Sequence, residues 1–510
     1  MSTQQKNYTL PIIVMFALFF MIAFVTNFAG SMGVIVKNEF GASSAMSQLG
    51  TLANFIAYAC MGIPAGVILK RRGYKFTSLL AVTVGFVGVG IQFLSGYAAS
   101  FAIYVLGAFV AGFSMCLLNI VVNPMLNTLG GGGNKGNRLL QLGGSCNSVG
   151  GTIAPILLGY LIGGNVENAS VSDAAPAMII AMAIFALAFV IISRTQIPEP
   201  HMETAEEKAA RKAGKVVKDK YSPLSFRHFM LGAVAIFFYV GIEVGIPNIA
   251  NLYMTTPTTE QAKDNITEYE NAVATVEKYN FQNKEENAAT LASLKAQDES
   301  NKDVKGYEKQ VVSKEEYDAA EKIVDNKQKF ETAKSIVAGE TEQGRGMSAS
   351  TAGALVGIYW FLMMCGRLIG GAVGGRVSSR AMLTSVSALA MALVAAFIFI
   401  PQNSSINVPF VGEAVPTGVA VLLLCGLCTS VMWGGIFNLA AEGLGKYTAA
   451  ASGIFMALVC GGGVIPFLQG LLADATSYVA SYWLIFVCLG FLLFYALVGS
   501  KNVNKDIPTE

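Results

Sequence analysis

Long apolar runs separated by short polar breaks dominate the chain, and the runs exceed what soluble helices need. From Leu10 to Val36 there is no charged residue, a stretch longer than a signal-peptide core. Similar runs recur at 45–69, 76–97, 100–128, 139–163 and 173–193. After a polar interval they resume at 229–254, 349–375, 380–401, 416–441, 449–472 and 477–499. About 20 apolar residues cross a bilayer as a helix, so the pattern predicts twelve membrane-spanning helices.

Charge sorts the breaks into two kinds. Lys70, Arg71, Arg72 and Lys75 follow the second run, and Lys135 and Arg138 the fourth. From Arg194 to Arg227, both included, there are eight basic residues. Arg376 and Arg380, Lys446, and Lys501 with Lys505 follow the eighth, tenth and twelfth runs. The short breaks between these, near 37–44, 97–99, 164–172, 402–415 and 473–476, hold one lysine, Lys37, and no arginine. Basic residues accumulate in cytoplasmic loops, so both termini are expected on the cytoplasmic side.

The fold class this predicts is an all-α membrane protein of two six-helix halves. Residues 1–193 form the N-terminal bundle, 194–228 a cytoplasmic linker, 229–254 with 349–500 the C-terminal bundle, and 501–510 a cytoplasmic tail. Residues 255–348 stand apart, with 19 acidic and 13 basic residues and no apolar run. There Ser313-Lys-Glu-Glu316 has the form of a capping box. After it Tyr317, Ala320, Val324, Ala333 and Val337 recur at helical spacing. The stretch is expected to be a soluble helical insertion between helices seven and eight, outside the cytoplasm, where it is either a solvated addition, a docking surface for an extracytoplasmic partner, or a lid.

Composition agrees. The chain is 53% hydrophobic and 13% charged, with mean hydropathy +0.53; soluble domains carry roughly 25% charge. A net charge of +2 gives no footing for nucleic acid. The eight cysteines all lie in apolar runs, and Cys425-Gly-Leu-Cys428, with no histidine near it, reads as small packing residues. The two histidines, His201 and His228, lie in or beside the linker, which removes a histidine relay or a histidine metal site. No cofactor or metal is expected. With no nucleophile-and-base set in the runs, neither is an enzyme.

The candidate chemistry is polar groups placed inside apolar runs. Glu243 is foremost. From a start near Met230 it lies about 20 Å deep at ~1.5 Å per residue, well within a core about 30 Å thick. A carboxylate there costs several kcal/mol unless it pairs, protonates or faces water, and such residues mark ion or substrate pathways. The first run holds Asn27; the second, Asn54 and Tyr58 one turn apart; the fourth, Asn119 and Asn123 one turn apart before Pro124; the fifth, Gln141 and Asn147. Tyr239 precedes Glu243 by a turn, and Asn248 and Asn251 follow it. Trp360 and Arg367 lie in the eighth run, Trp433 and Asn438 in the tenth, Gln469 in the eleventh.

Amides offer donor and acceptor together, matching adjacent hydroxyls, and aromatic faces cover the C–H patches of a pyranose ring. The inventory therefore suits a neutral monosaccharide. The expected substrate contacts are Asn27, Asn54, Tyr58, Asn119, Asn123, Asn147, Tyr239, Glu243, Trp360, Trp433 and Asn438, with Glu243 also the site of cation coupling by H+ or Na+. Each has a plainer reading: asparagines as interhelical hydrogen bonds, tryptophans facing lipid, Glu243 as a structural carboxylate. Arg367, late in its run, is expected to snorkel or pair near the basic end. A sugar uniporter, or a membrane receptor or scaffold acting through 255–348, are the alternatives to a coupled importer.

Several motifs carry a family likeness: Tyr239-Val-Gly-Ile-Glu-Val-Gly245, Asn147-Ser-Val-Gly-Gly-Thr-Ile-Ala-Pro155, Gly443-Leu-Gly-Lys-Tyr-Thr448 and Gly461-Gly-Gly-Val-Ile-Pro466. Ile63-Pro-Ala-Gly66 before Gly73-Tyr-Lys75, Val122-Asn-Pro124 and Gly366-Arg-Leu-Ile-Gly370 support them. With these the chain, outside 255–348, resembles the fucose–galactose–glucose symporter family of the major facilitator superfamily. The resemblance implies the major facilitator fold, a central cavity, alternating access and cation-driven hexose uptake (glucose, galactose or fructose) by a monomer in the bacterial inner membrane. In the fucose-permease branch it implies a span-one aspartate, a span-four glutamate and a span-five asparagine; here those positions resemble Gly30, Asn119 and Asn147. Both carboxylates are replaced, while Glu243 matches a glutamate of the glucose/galactose branch.

Overall fold

The structure, a computed structural model, describes residues 8–40, 42–98, 100–129, 133–162, 171–199, 221–300, 306–373, 377–408, 411–444, 447–504 and 507. His201, the basic positions between 208 and 220, Arg376, Lys446 and Lys505 lie outside the described residues, as do the side-chain surroundings of Gly30, Lys135, Arg138 and Gln141.

Apart from a hairpin of β1 (Ser405–Asn407) antiparallel to β2 (Ala414–Pro416), the regular structure described is helical. The first part comprises α1 (Thr9–Phe40), α2 (Ser44–Ser47), α3 (Leu49–Tyr97), α4 (Phe101–Leu129), α5 (Gly133–Leu161) and α6 (Ala175–Arg194). Next come α7 (Arg227–Thr255) and the charged helices α8 (Thr259–Gln282), α9 (Ala288–Ser300), α10 (Gly306–Gln310), α11 (Lys314–Asp325) and α12 (Lys327–Val337). The chain ends with α13 (Ala349–Val373), α14 (Ser379–Phe399), α15 (Thr417–Leu423), α16 (Cys425–Thr429), α17 (Met432–Ala441), α18 (Thr448–Leu458), α19 (Gly461–Ala475) and α20 (Tyr478–Phe494).

Among the described residues, ten helical stretches are long and apolar enough to cross a membrane. One of them, α3, is 49 residues long and covers two of the expected runs. It turns at Gly73, whose φ of 84° and ψ of 175° fall where essentially only glycine is at ease. Glu199 caps this turn, accepting from the main-chain N–H of Tyr74 and, at 3.0 Å, of Lys75. Two runs expected as single helices are broken: 416–441 forms α15, α16 and α17, and 449–472 forms α18 and α19. The second break precedes Gly461, which lies against the Phe237 carbonyl with no room for a methyl group. Pro466, without an N–H to donate, follows within α19.

Packing gives two groups of helices. α3 lies mainly on α4 and α6, and α1 on α5 and α4; α7 lies on α19, α17 and α20. The groups meet where α5 runs along α13 and where α3 runs along α18 and α19. At the second seam Gly62 abuts the main chain of Ala457, an approach that a side chain would block. Large aromatic side chains remain on the outside at helix ends, such as Tyr97, Tyr160 and Phe399, each more than 70% exposed; that placement suits a membrane–water interface.

One end of the seam is tied by polar groups. The Asp474 carboxylate accepts from the main-chain N–H of Ser44 at 2.7 Å and of Ala45 at 2.8 Å. Lys37 is only 6% exposed. Its ammonium donates to Ser44 Oγ at 3.2 Å, to Thr256 Oγ1 at 3.4 Å and to the Tyr478 hydroxyl. The lone lysine of the weakly charged breaks is thus a buried tie between the two groups of helices.

The charged segment returns to the bundle beside this end. Gly344, Arg345, Gly346 and Met347 donate their N–H groups to the carbonyls of Pro257, Tyr253, Thr256 and Met254. Within it α8 packs on α11 and α12, with Tyr269 stacked on Phe330 and Tyr279 on Tyr317, each pair at 4.2 Å. Ala320 and Ala333 are buried as the spacing suggested, but Ile336 rather than Val337 takes the inner position. The expected capping box is present: Ser313 N–H and Oγ donate to Glu316 at 2.8 and 2.9 Å, and Glu316 N–H donates back at 3.2 Å. Those two bonds hold the Glu316 carboxyl below its ordinary pKa. Its contribution to the helix start is therefore present at neutral pH and lost as pH falls through the lowered value.

Two outcomes are expected. Gly73→Ala forces alanine into a glycine backbone and against Glu199, and should cost about 1–3 kcal/mol, read as a fall in melting temperature of the purified protein. Gly66→Ala, whose methyl meets nothing within 4 Å, should leave it nearly unchanged; equal falls would remove the turn's special role. Ser313→Ala should raise the Glu316 pKa toward the ordinary carboxylate value in an NMR titration.

Candidate functional site

Between the two groups of helices lies a cavity of about 550 Å³, within the range of small-molecule sites. Residues of α1, α3, α4 and α5 line it on one side, and residues of α7, α13 and α17 on the other. Its polar groups come from both sides because polar residues at i and i+4 share a helix face, and that face is turned inward on α4 and α7.

On the first side the amides form an ordered row. Asn119 Nδ2 donates to the Tyr58 hydroxyl at 3.0 Å and to the Met115 carbonyl at 3.1 Å. Asn123 Nδ2 donates to the Asn119 carbonyl at 2.8 Å. Asn147 Nδ2 reaches across to the Phe19 carbonyl at 3.0 Å, and Asn27 Nδ2 bonds the Ala23 carbonyl at 2.9 Å. In all four one N–H is given to main chain, which leaves the side-chain oxygens as acceptors and, in Asn27 and Asn147, a second N–H as a donor for a hydroxyl.

On the second side Glu243 is paired. Arg367 Nη2 lies 3.4 Å from Glu243 Oε1, with the two side chains 10% and 13% exposed. The other arm of the guanidinium, Nη1, donates to the Gly144 carbonyl at 2.5 Å and to Ser148 Oγ at 2.9 Å, both on α5. Arg367 therefore joins Glu243 to the opposite group of helices. This corrects the expectation that it snorkels or pairs near the basic end. Counting residues down α13 places its Cα late in the helix, but Cα–Cβ bonds tilt toward the helix N-terminus, and a long side chain then reaches back toward the middle. The motif Gly366-Arg-Leu-Ile-Gly370 was visible in the sequence; its direction of reach was the signal left unused.

The aromatics complete the lining. Trp433 meets Tyr239 edge to face at 6.1 Å, and Trp360 meets Tyr359 at 5.5 Å. Tyr359 in turn donates to the Glu243 carbonyl at 3.2 Å, fixing the α7 main chain beside the carboxylate. Of the residues singled out by sequence, Asn27, Tyr58, Asn119, Asn123, Asn147, Tyr239, Glu243, Trp360, Trp433 and Asn438 all line this cavity. Asn54 does not: it is buried in the α3–α4 contact, where Nδ2 donates to the Ala108 carbonyl at 3.3 Å. Thr26 and Ser430 line the cavity without having been singled out; an isolated hydroxyl in an apolar run gives too little signal.

Chemically the site is a neutral, hydrogen-bonding chamber with aromatic walls. Its one carboxylate and one guanidinium compensate each other, so no fixed charge of either sign is left for a charged ligand. Among the described residues no group of three histidine, cysteine or acidic side chains is placed to hold a metal, and Cys425 and Cys428 are free thiols buried in the core.

The sequence signature of the Major Facilitator Superfamily matches residues 14–273. A glucose/galactose transporter of Brucella abortus (strain 2308) is 24% identical over 503 residues, which cover 98% of this chain and 97% of that protein. An L-fucose-proton symporter of Escherichia coli (strain K12) is 23% identical over 260 residues, 47% of this chain and 58% of that protein. Among solved structures, the E. coli fucose:proton symporter FucP superposes with a TM-score of 0.57 at 17% identity, covering 98% of this chain and 100% of that one.

If Arg367 is present to hold Glu243, removing it alone leaves a buried carboxylate without a counter-charge, at about 3–5 kcal/mol. Arg367→Met should then lower the melting temperature more than Arg367→Met/Glu243→Gln does. A double variant less stable than Arg367→Met would show that the two side chains act independently.

Proposed function

The chain belongs to the Major Facilitator Superfamily, and on that footing we propose that it imports a neutral monosaccharide, a hexose such as glucose, galactose or fructose, by alternating access, coupled to H+ or Na+ through Glu243. The observation that carries this reading is the chamber itself: an amide-rich, charge-compensated cavity between two helix groups, with tryptophans on its wall. The full-length likeness to a protein named a glucose/galactose transporter favours hexoses, and membership of a transporter family speaks against an enzyme or a receptor.

Alternating access assigns the architecture. Counting α3 as two spans about Gly73 and adding α5 to the ten apolar stretches gives twelve. On that count residues 1–193 are the first six-helix half, and 229–254 with 349–500 the second. The linker 194–228 and both termini are cytoplasmic, and 255–348 lies outside. The protein then sits in a bacterial inner membrane, as a monomer, with the Lys37 end facing outward and closed in this conformation.

Coupling follows from the pair. A proton or a sodium ion on Glu243 satisfies its charge and so competes with Arg367 for the carboxylate. Released, Arg367 keeps only its bonds to α5, and the tie between the halves through Glu243 is cut. Binding of the ion thereby changes the relative stability of the two conformations, which is what coupling requires. The same pair supports a second reading: because Arg367 already compensates Glu243, the protein could operate as a uniporter in which the carboxylate accepts sugar hydroxyls.

Uptake into proteoliposomes separates them. Glucose, galactose, fructose and fucose are offered with an imposed H+ or Na+ gradient, to wild type and to Glu243→Gln. One gradient should drive accumulation, and the variant should keep sugar exchange while losing accumulation. No response to either gradient, with only weaker binding in the variant, would establish the uniporter. If no sugar moves in wild type, the substrate class is wrong.

A further inference from the structure

Three amides beyond the cavity are left out of the site described so far. Gln48, between α2 and α3, is fully buried; its Oε1 accepts from Asn248 Nδ2 at 3.1 Å, while its Nε2 has no partner. Gln469 on α19 is fully buried with neither amide atom bonded. Both lie against the same stretch of α7: Gln48 bonds Asn248, and a methyl on Gly245, three residues earlier, would come within 2.8 Å of Gln469 Oε1.

This stretch is the next layer outward from the cavity. Asn248 lies about 7 Å beyond Glu243 along α7 at ~1.5 Å per residue. On α1, Gln48 Nε2 lies near Gly33, about 9 Å beyond the cavity residue Asn27 at the same rise. Past it come the Asp474 and Lys37 ties that close this end. The amides therefore stand on the path between the tied end and the chamber, and Gln48 and Asn248 come from opposite halves.

Buried amides are nearly always hydrogen-bonded, and here three such atoms on two residues are not. A joint that opens in turn explains them, because groups unpaired in the closed joint meet ligand and solvent when the halves part. A primary amide presents donor and acceptor side by side, the pattern adjacent hydroxyls need. We propose that Gln48, Asn248 and Gln469 form a second contact station for the transported sugar, taken up when the halves part at the Lys37 end and vacated as they close. The station rests on the reading of the protein as a sugar transporter.

The test compares two backgrounds of the full chain, each with the exposed Cys60 replaced by serine. In one, Ala45→Cys/Asp474→Cys is oxidised to lock this end shut; in the other, Lys37→Met/Asp474→Ala removes its ties. Equilibrium binding of radiolabelled D-glucose and D-galactose is measured in each, with and without Gln48→Leu or Gln469→Leu. In the untied background each leucine variant should weaken binding about fivefold, as expected for a lost hydrogen bond to ligand. In the locked background the same variants should bind within about twofold of the parent, which also shows that they fold. Equal effects in the two backgrounds, or none in the untied one, would overturn the station. Absence of binding to wild type and to the parent of each background would instead remove the sugar reading, and the station with it.

Discussion

A charge held inside an apolar bundle constrains everything around it. Glu243 is tolerable at its depth because Arg367 reaches it, and Arg367 is tolerable because its remaining donors end on Gly144 and Ser148. The three elements involved, α5, α7 and α13, are thereby fixed relative to one another across the seam. The same compensation decides what the chamber suits. With the two charges cancelling, recognition is left to amide groups and aromatic faces, which is the chemistry of a hydroxyl-rich neutral ligand.

A transporter must also hold its halves together loosely enough to separate. Strong polar ties and unsatisfied polar groups coexist at the Lys37 end. Asp474 clasps two main-chain N–H groups and Lys37 binds three hydroxyls, while Gln48 Nε2 and both atoms of Gln469 go unpaired nearby. The first set favours closure and the second opposes it. Under the proposed coupling, a change at Glu243, some 20 Å from Lys37 by residue count along the helices at ~1.5 Å per residue, would act on the equilibrium that these two sets of groups set.

Much of this was legible in the sequence because the bilayer imposes simple rules. Apolar run length located most of the helices, and ten of the eleven polar candidates line one cavity. Asn54 does not, since its Nδ2 finds the Ala108 carbonyl in the α3–α4 contact instead. Arg367 was misplaced because residue counting follows the backbone and ignores which way a side chain leans. Lys37 looked like an ordinary loop lysine; its burial depends on Thr256 and Tyr478, more than 200 residues away. The breaks in 416–441 and 449–472 were hidden by the continuous apolar character of those runs, although Gly461 and Pro466 mark the second. The Ser313 capping box was readable because it is entirely local.

The central claim, that this chamber binds a sugar, is open to direct observation through its tryptophans. The chain has three: Trp360 and Trp433 line the cavity, while Trp483 stands on α20, 44% exposed. Intrinsic fluorescence of the purified protein should change saturably on titration with D-glucose or D-galactose. The change should be lost in Trp360→Phe/Trp433→Phe and kept in Trp483→Phe. A saturable signal that survives loss of both cavity tryptophans, or no signal with any hexose, would contradict the account.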